Sequence, residues 1–330
     1  MPCTPPSLAR KAVLGVFIAT SILAIRVSGQ VAQNAPLSAP SWQNPLQVAI
    51  LHWGANQTLQ FPVGSIPQEV AFDGSNIWVA NLGDNTVTKL RASDGANLGI
   101  FTVGANPFGV AFDGANVWVA NFGSGSVTKL RASDGAVLGT FTVGTDPYGA
   151  AFDGVNVWVT NFYSNNVTKL RASDGATLGT FAVGTGPEGV AFDGVNVWVV
   201  NHGSNNVTKL QAATGTVLGT FGVGTEPSGI AFDGANIWVA NTNSHNVTKI
   251  RANDGASLGS FTVGSFPFHL AFDGSSIWVA NAGSNTVSKL RASDGANLGT
   301  FPTGTNPRGV AFDGTYIWVT NQVSETVSKL

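Results

Sequence analysis

The sequence predicts an all-β fold: a seven-bladed β-propeller of four-stranded blades, closed by pairing its N-terminal end into the last blade. Three observations carry that prediction. Phe61, Phe101, Phe141, Phe181, Phe221, Phe261 and Phe301 head seven copies of one pattern at a constant spacing of 40 residues. Each copy holds four short runs of strand-forming residues separated by turn signals, which at this period marks a propeller blade rather than a helical solenoid. The seventh copy stops at Leu330, ten residues short, and Leu51 to Gln60 are the ten residues that complete it.

Residues 1–29 read as a secretory signal. Arg10 and Lys11 precede a 14-residue, mostly apolar run, Ala12 to Ile25. That run is shorter than the roughly 20 residues a membrane span needs. Val27-Ser28-Gly29 offers small residues for cleavage before Gln30, so the expected destination is the periplasm, the cell surface or the medium. The mature chain then has no membrane span. Cys3, the single cysteine, leaves with the signal, and a mature chain without cysteine must be held by packing and ring closure. Residues 30–50, rich in Pro, Ala, Ser and Gln, read as a flexible spacer. Trp42 and Trp53 stand outside the repeat and are expected against the edge of the ring. The propeller takes residues 51–330.

The second copy shows how a blade is written. Gly109 to Phe112 and Val117 to Ala120 are nearly continuous apolar runs, as strands buried on both faces require. Asp113-Gly114 between them is a hairpin signal, because glycine tolerates positive φ. Ser126 to Ala132 mixes Thr, Lys and Arg with Val and Leu, as a half-exposed strand does. Ser133-Asp134-Gly135 turns into the outer strand, Val137 to Val143, and Gly144 to Pro147 crosses to the next blade, where proline need not donate to a ladder. Thr58 to Val63 matches this fourth strand, so the N-terminal strand is expected to fasten the ring and remove its open edges.

Most repeated polar residues have a structural reading. Net charge of −2 and 10 % charged residues exclude nucleic acid as a partner, since phosphate binding needs clustered Lys and Arg. One lysine per copy, Lys89 to Lys329, disperses the positive charge. Asp73 and its six equivalents precede glycine in hairpins and read as turn residues rather than calcium ligands. Asn81 and its equivalents are expected to bond the loop that follows, and Trp78 and its equivalents to pack blades. Arg91, Arg131, Arg171, Arg251 and Arg291 lie three residues before an aspartate, in weak surface ion pairs.

At Trp118 to Asn121 (WVAN) and at Trp158 to Asn161 and Trp318 to Asn321 (both WVTN), the chain resembles the YVTN-type β-propeller repeat family. That family belongs to bacterial and archaeal surface and periplasmic proteins and is related to NHL and streptogramin-lyase-like propellers. The resemblance covers residues 51–330 and implies the fold. It implies no particular activity, because one fold hosts many functions.

Differences between copies say more about function. The residue after the crossing proline changes almost every time: Gln68, Phe108, Tyr148, Glu188, Ser228, Phe268, Arg308. The residue before it, and the start of the loop between the second and third strands (Phe122, Phe162, His202 and equivalents), vary likewise. In a four-stranded meander these two loops emerge on one face and the Asp-Gly turns on the other. All four glutamates, and His202, His245 and His269, fall on the variable face. Exposed aromatics beside charge suit recognition. The candidate ligand-binding residues are Gln68, Phe108, Tyr148, Glu188, Phe268, Arg308, His202 and His269.

The expected function is an exported monomeric binding module that takes a protein, peptide or glycan at the channel mouth. The alternative is a metal-dependent streptogramin-lyase-like or lactonase-like enzyme at the same face. Those relatives carry a Glu-x-His pair, which is absent here: Glu69 is followed by Val-Ala and Glu188 by Gly-Val. No catalytic residue and no cofactor are assigned, and a divalent cation is the one group left open. A faint likeness of Leu210 to Phe221 to the docking motif of quinoprotein dehydrogenases lacks that motif's tryptophan.

Overall fold

The computed structural model describes residues 58–330; the expected signal and spacer, Trp42, Trp53 and residues 51–57 lie outside the described residues. Strands β1 to β28, numbered in chain order, form seven four-stranded antiparallel sheets. The first blade is β2 (Pro67–Phe72), β3 (Asn76–Asn81), β4 (Thr86–Arg91) and β5 (Asn97–Thr102), paired in sequence order. The first strand of every blade is innermost and packs against the first strands on either side. These are β2, β6 (Pro107–Phe112), β10 (Pro147–Phe152), β14 (Pro187–Phe192), β18 (Pro227–Phe232), β22 (Pro267–Phe272) and β26 (Pro307–Phe312).

The last blade takes its outer strand from the other end of the chain. β1 (Leu59–Pro62) pairs antiparallel with β28 (Thr326–Lys329), setting Leu59 against Lys329 and Phe61 against Val327. β28 pairs in turn with β27 (Ile317–Asn321). The ring is therefore fastened by a noncovalent ladder, as the split repeat requires.

Apolar side chains of each blade pack between sheets. Trp118 is fully buried against Val157, Val159 and Leu170 of the next blade, with Phe141 5.6 Å away ring to ring. The Asp-Gly turn serves this packing. Asp113 Oδ1 accepts the Ala115 and Asn116 N–H groups at 2.9 and 2.6 Å, and Oδ2 accepts the Trp118 indole N–H at 2.7 Å. Burial alone would raise the Asp113 pKa; the bonds from Trp118, Ala115 and Asn116 outweigh it and hold the carboxyl below its ordinary value. Both oxygens of this turn carboxylate are thus engaged by protein. Gly114, at φ 95°, fills the position where a side chain would strain the turn.

The lysines depart from the expectation of dispersed surface charge. Lys129 is buried; its Nζ donates to Ala172 O at 2.6 Å, in the turn of the next blade, and lies 5.0 Å from the Trp118 ring centroid. The aliphatic stem packs while the ammonium replaces its water by carbonyls and a π-face. Lys329 does the same across the seam, donating to Ala92 O at 2.7 Å. Asn121 likewise does more than bond a following loop. Its Nδ2 donates to Thr128 Oγ1 at 2.9 Å, and its Oδ1 accepts Gly104 N–H from the preceding crossing loop at 3.1 Å.

Candidate functional site

The crossing loops and the β3–β4-type loops do share one face, where they bond each other. Asn85 Oδ1 accepts Asn106 N–H at 2.8 Å, and Leu82 N–H reaches Ile66 O at 3.1 Å. The residue before each crossing proline has a positive φ, from 49° at Glu226 to 60° at Gly186. Asn, Asp and Gly tolerate that conformation, and β-branched Ile66 at 54° is the strained member. This position therefore varies under a backbone constraint. His245 stands in for the loop asparagine: its Nδ1 accepts Phe266 N–H at 3.1 Å, and it does not join the central cluster.

The residue after the proline behaves differently. A register irregularity between Pro107 and Val110, repeated in every inner strand, breaks strict alternation. Two consecutive positions thereby turn toward the axis. Gln68, Phe108, Tyr148, Glu188 and Ser228 are buried there, and Phe268 and Arg308 half-buried. The expectation of exposed aromatics is corrected: Phe108 and Tyr148 are only 7 % and 8 % exposed. Seven side chains converge on one axis, so they cover one another. Phe108 and Tyr148 lie 3.8 Å apart ring to ring, Phe108 and Phe268 6.5 Å, and Arg308 sits 4.3 Å over Phe268.

The polar members of this plug are incompletely partnered. Glu188 Oε1 is 3.4 Å from His202 Nδ1, out of line for a hydrogen bond, and Glu188 Oε2 is buried with no partner. Burial pushes the Glu188 carboxyl up to about 8, against the lowering effect of Arg308 and with smaller raising effects from Glu226 and Glu69. Burial also lifts the Tyr148 hydroxyl well above its ordinary value. Arg308 donates from Nε and Nη2 to Gln322 Oε1 at 3.1 and 3.0 Å.

One residue deeper, the consensus is glycine: Gly109, Gly149, Gly189, Gly229 and Gly309. A Cβ there would come within 2.3–2.6 Å of a carbonyl oxygen on the next blade. Two copies break the rule, with Glu69 and His269, and the structure brings those two together across the channel. Glu69 Oε1 is 2.9 Å from His269 Nε2, although the ring N–H is not aligned for a hydrogen bond. Glu69 Oε2 accepts Val110 N–H at 3.1 Å. The pair borders a cavity of about 90 Å³ walled by inner-strand backbone at Gly149, Gly189 and Gly309. His269 was expected at the variable face; its pairing with Glu69 was not, because no spacing encodes a meeting between the first and sixth blades. The signal lay in the repeat alignment, where only these two copies lose the glycine.

Glu226 and Glu325 remain in the rim loops, where Glu325 Oε1 accepts the Ser65 hydroxyl at 2.8 Å. Among the described residues, no group of three or more His, Cys, Asp and Glu is arranged to hold a metal ion. Glu69 and His269 supply two such groups. No helix among the described residues is long and apolar enough to cross a membrane.

No family model and no curated protein matches the sequence. Solved structures do resemble the fold. A hydrazine synthase structure from Kuenenia stuttgartiensis matches with a TM-score of 0.71 and 20 % identity, over 84 % of this chain and 97 % of that one. A streptogramin B lyase matches at 0.71 and 18 %, over 83 % and 96 %. The virginiamycin B lyase of Staphylococcus aureus matches at 0.71 and 17 %, over 83 % and 98 %. At such identities the likeness is one of fold: this chain is a seven-bladed propeller of the kind those proteins share.

Proposed function

We propose that the protein is an exported binding module, monomeric and of the YVTN-repeat kind, that captures a protein, peptide or glycan at the channel mouth of its variable face. One observation carries the reading. In a ring whose framework repeats copy after copy, the residue after the crossing proline changes almost every time, and the seven side chains meet on the axis. A layer with aromatic faces, a protonatable buried carboxyl and a guanidinium is suited to recognition by a few buried anchors. The test is a binding screen of the mature domain against peptides and glycans, repeated with Phe108→Ala/Tyr148→Ala. Loss of capture of at least about tenfold is expected, as for hot-spot truncation. Undiminished capture by a folded double variant would remove the site.

A second reading is favoured by the Glu69–His269 pair. It is a metal-dependent lyase-like or lactonase-like enzyme, with the reaction at the same end of the channel. A half-buried Glu–His contact without an aligned hydrogen bond contributes little net stability, so two departures from a tightly packed glycine suggest a chemical use. This reading requires that magnesium or calcium raise the melting temperature and enable lactone or ester turnover, and that His269→Ala abolish both.

A further inference from the structure

Arg308 departs from the rule that the other described arginines follow. Arg91, Arg131, Arg171, Arg251 and Arg291 each reach the aspartate three residues on, at 2.9–3.1 Å. Arg308 has no carboxylate oxygen within 4.0 Å among the described residues. It sits instead in the mouth, stacked on Phe268, with Nε and Nη2 both directed at Gln322 Oε1. Gln322 is held in turn by Asn306 Nδ2 at 3.0 Å, so the guanidinium fork is fixed in direction while Nη1 has no acceptor among the described residues.

The charge is also uncompensated. A cation drawn out of water costs free energy unless it is paired, and burial lowers the Arg308 pKa below its ordinary value. Glu188, the buried acid whose ionised form would favour the charged guanidinium, is itself pushed up to about 8 by burial. A neutral glutamine and an aromatic face orient the cation without neutralising it. Beside it opens a groove of about 300 Å³ between the fifth, sixth and seventh blades. Phe266, Phe268, Ala282 and Gly283 give it an apolar wall, and Thr242 and Asn306 line it with Arg308. Phe266 is 45 % exposed, so the wall is open to an incoming ligand.

We propose that this groove binds a carboxylate carried on a compact apolar body, its oxygen taking Arg308 Nη1 and its body covering Phe266 and Phe268. The proposal rests on the binding-module reading and names the chemistry of one part of that face. A volume near 300 Å³ suits a phenylpropionate-sized group. Guanidinium–carboxylate bonds are charge-assisted and strengthen as water is excluded. Two sources carry this chemistry, a free small acid and the carboxy-terminus of a peptide.

The experiment titrates the folded domain with 3-phenylpropionate, with its uncharged primary amide, and with N-acetyl-phenylalanine, by calorimetry at low salt. The acid is expected to bind about tenfold or more tighter than the amide, the size of one charge-assisted bond. Arg308→Gln should bring the acid down to the amide's affinity, and Arg308→Lys should restore part of the difference, because the charge returns without the fork. Tighter binding of N-acetyl-phenylalanine than of phenylpropionate assigns the peptide terminus; the reverse order assigns the free acid. Equal affinity for acid and amide, a preference that survives Arg308→Gln at unchanged melting temperature, or no acid binding up to about 10 mM overturns the proposal. A partner that needs Phe108 and Tyr148 yet ignores Arg308 and ligand charge overturns the carboxylate assignment while leaving the wider reading standing.

Discussion

The two faces of the ring are built from the same seven copies and use them in opposite ways. On the Asp-Gly face, every blade repeats an aspartate holding its turn and its tryptophan, and six of the seven set next to it a lysine donating into the following blade; in the sixth blade Lys289 lies 3.7 Å from Asp273 Oδ2 instead. On the other face, the residue entering the channel is Gln, Phe, Tyr, Glu, Ser, Phe or Arg. The first face engages its turn aspartates in all seven blades and its lysines in six. The second leaves Glu188 Oε2 and His269 Nε2 buried without hydrogen-bond partners. Buried polar groups are ordinarily paired, so the comparison teaches that repetition supplies the stability and departure from it supplies the unspent chemistry.

The largest effect should come from the point where the repeating framework is interrupted. Six blades are continuous in sequence, whereas the seventh depends on β1 pairing with β28 and on Lys329 reaching Ala92 O across the seam. A chain beginning at Gly64 loses the β1 ladder and exposes the β28 edge. Its melting temperature should fall by about 10 °C or more, or the domain should associate through the open edge. Calorimetry with sedimentation decides it. An unchanged, monomeric melt would show that the noncovalent seam contributes little and that the framework is less cooperative than its repetition suggests.

A smaller effect tests the variable face, through Glu188. Its folded pKa of about 8 lies above the ordinary 4.5, so between those values the folded state binds the proton and the unfolded state does not. Stability from this group is complete below about pH 4.5 and is lost as pH rises toward 8. Glu188→Gln keeps the shape and removes the titration. The difference in melting temperature, variant minus native, should therefore grow between pH 5 and pH 8 to several degrees, on the order of a few kcal/mol. A difference that stays flat with pH would mean Glu188 is better solvated or paired than the mouth geometry implies.

How much of this was legible in the sequence follows the same division. The period of 40, the hairpins at Asp-Gly and the split last copy are local patterns, and they describe the blades and the seam correctly. The variable position after the proline was also visible by aligning copies. Its burial was not, because seven side chains aimed at one axis shield each other only once the ring is closed. Lys129 reads as a surface charge in a strand that alternates, and only the neighbouring blade's Ala172 carbonyl reveals why it is buried. The Glu69–His269 contact joins residues 200 positions apart in the numbering. Ring geometry makes that contact; no spacing rule does.

The smallest effect concerns repetition that carries no stability. Arg131 and Asp134 are half-exposed, 2.9 Å apart, and the pair recurs in five blades. The Asp134 carboxyl is held below its ordinary value first by the Ala136 N–H and only then by Arg131, so the turn does not depend on the arginine. Exposed ion pairs are screened and ordering their side chains is costly. Arg131→Ala should move the melting temperature by less than about 1 °C, and adding salt should change the native value as little. The chain already contains the comparison. In the fourth blade Gln211 and Thr214 replace the pair, Thr214 Oγ1 donating to Gln211 Oε1 at 2.8 Å. The turn keeps its closing bond there, Gly215 N–H to Gln211 O at 2.7 Å, against 2.8 Å for Gly135 and Arg131. A clear loss of stability in Arg131→Ala would show that the uniform face holds more of the ring's free energy at its rim than its geometry indicates.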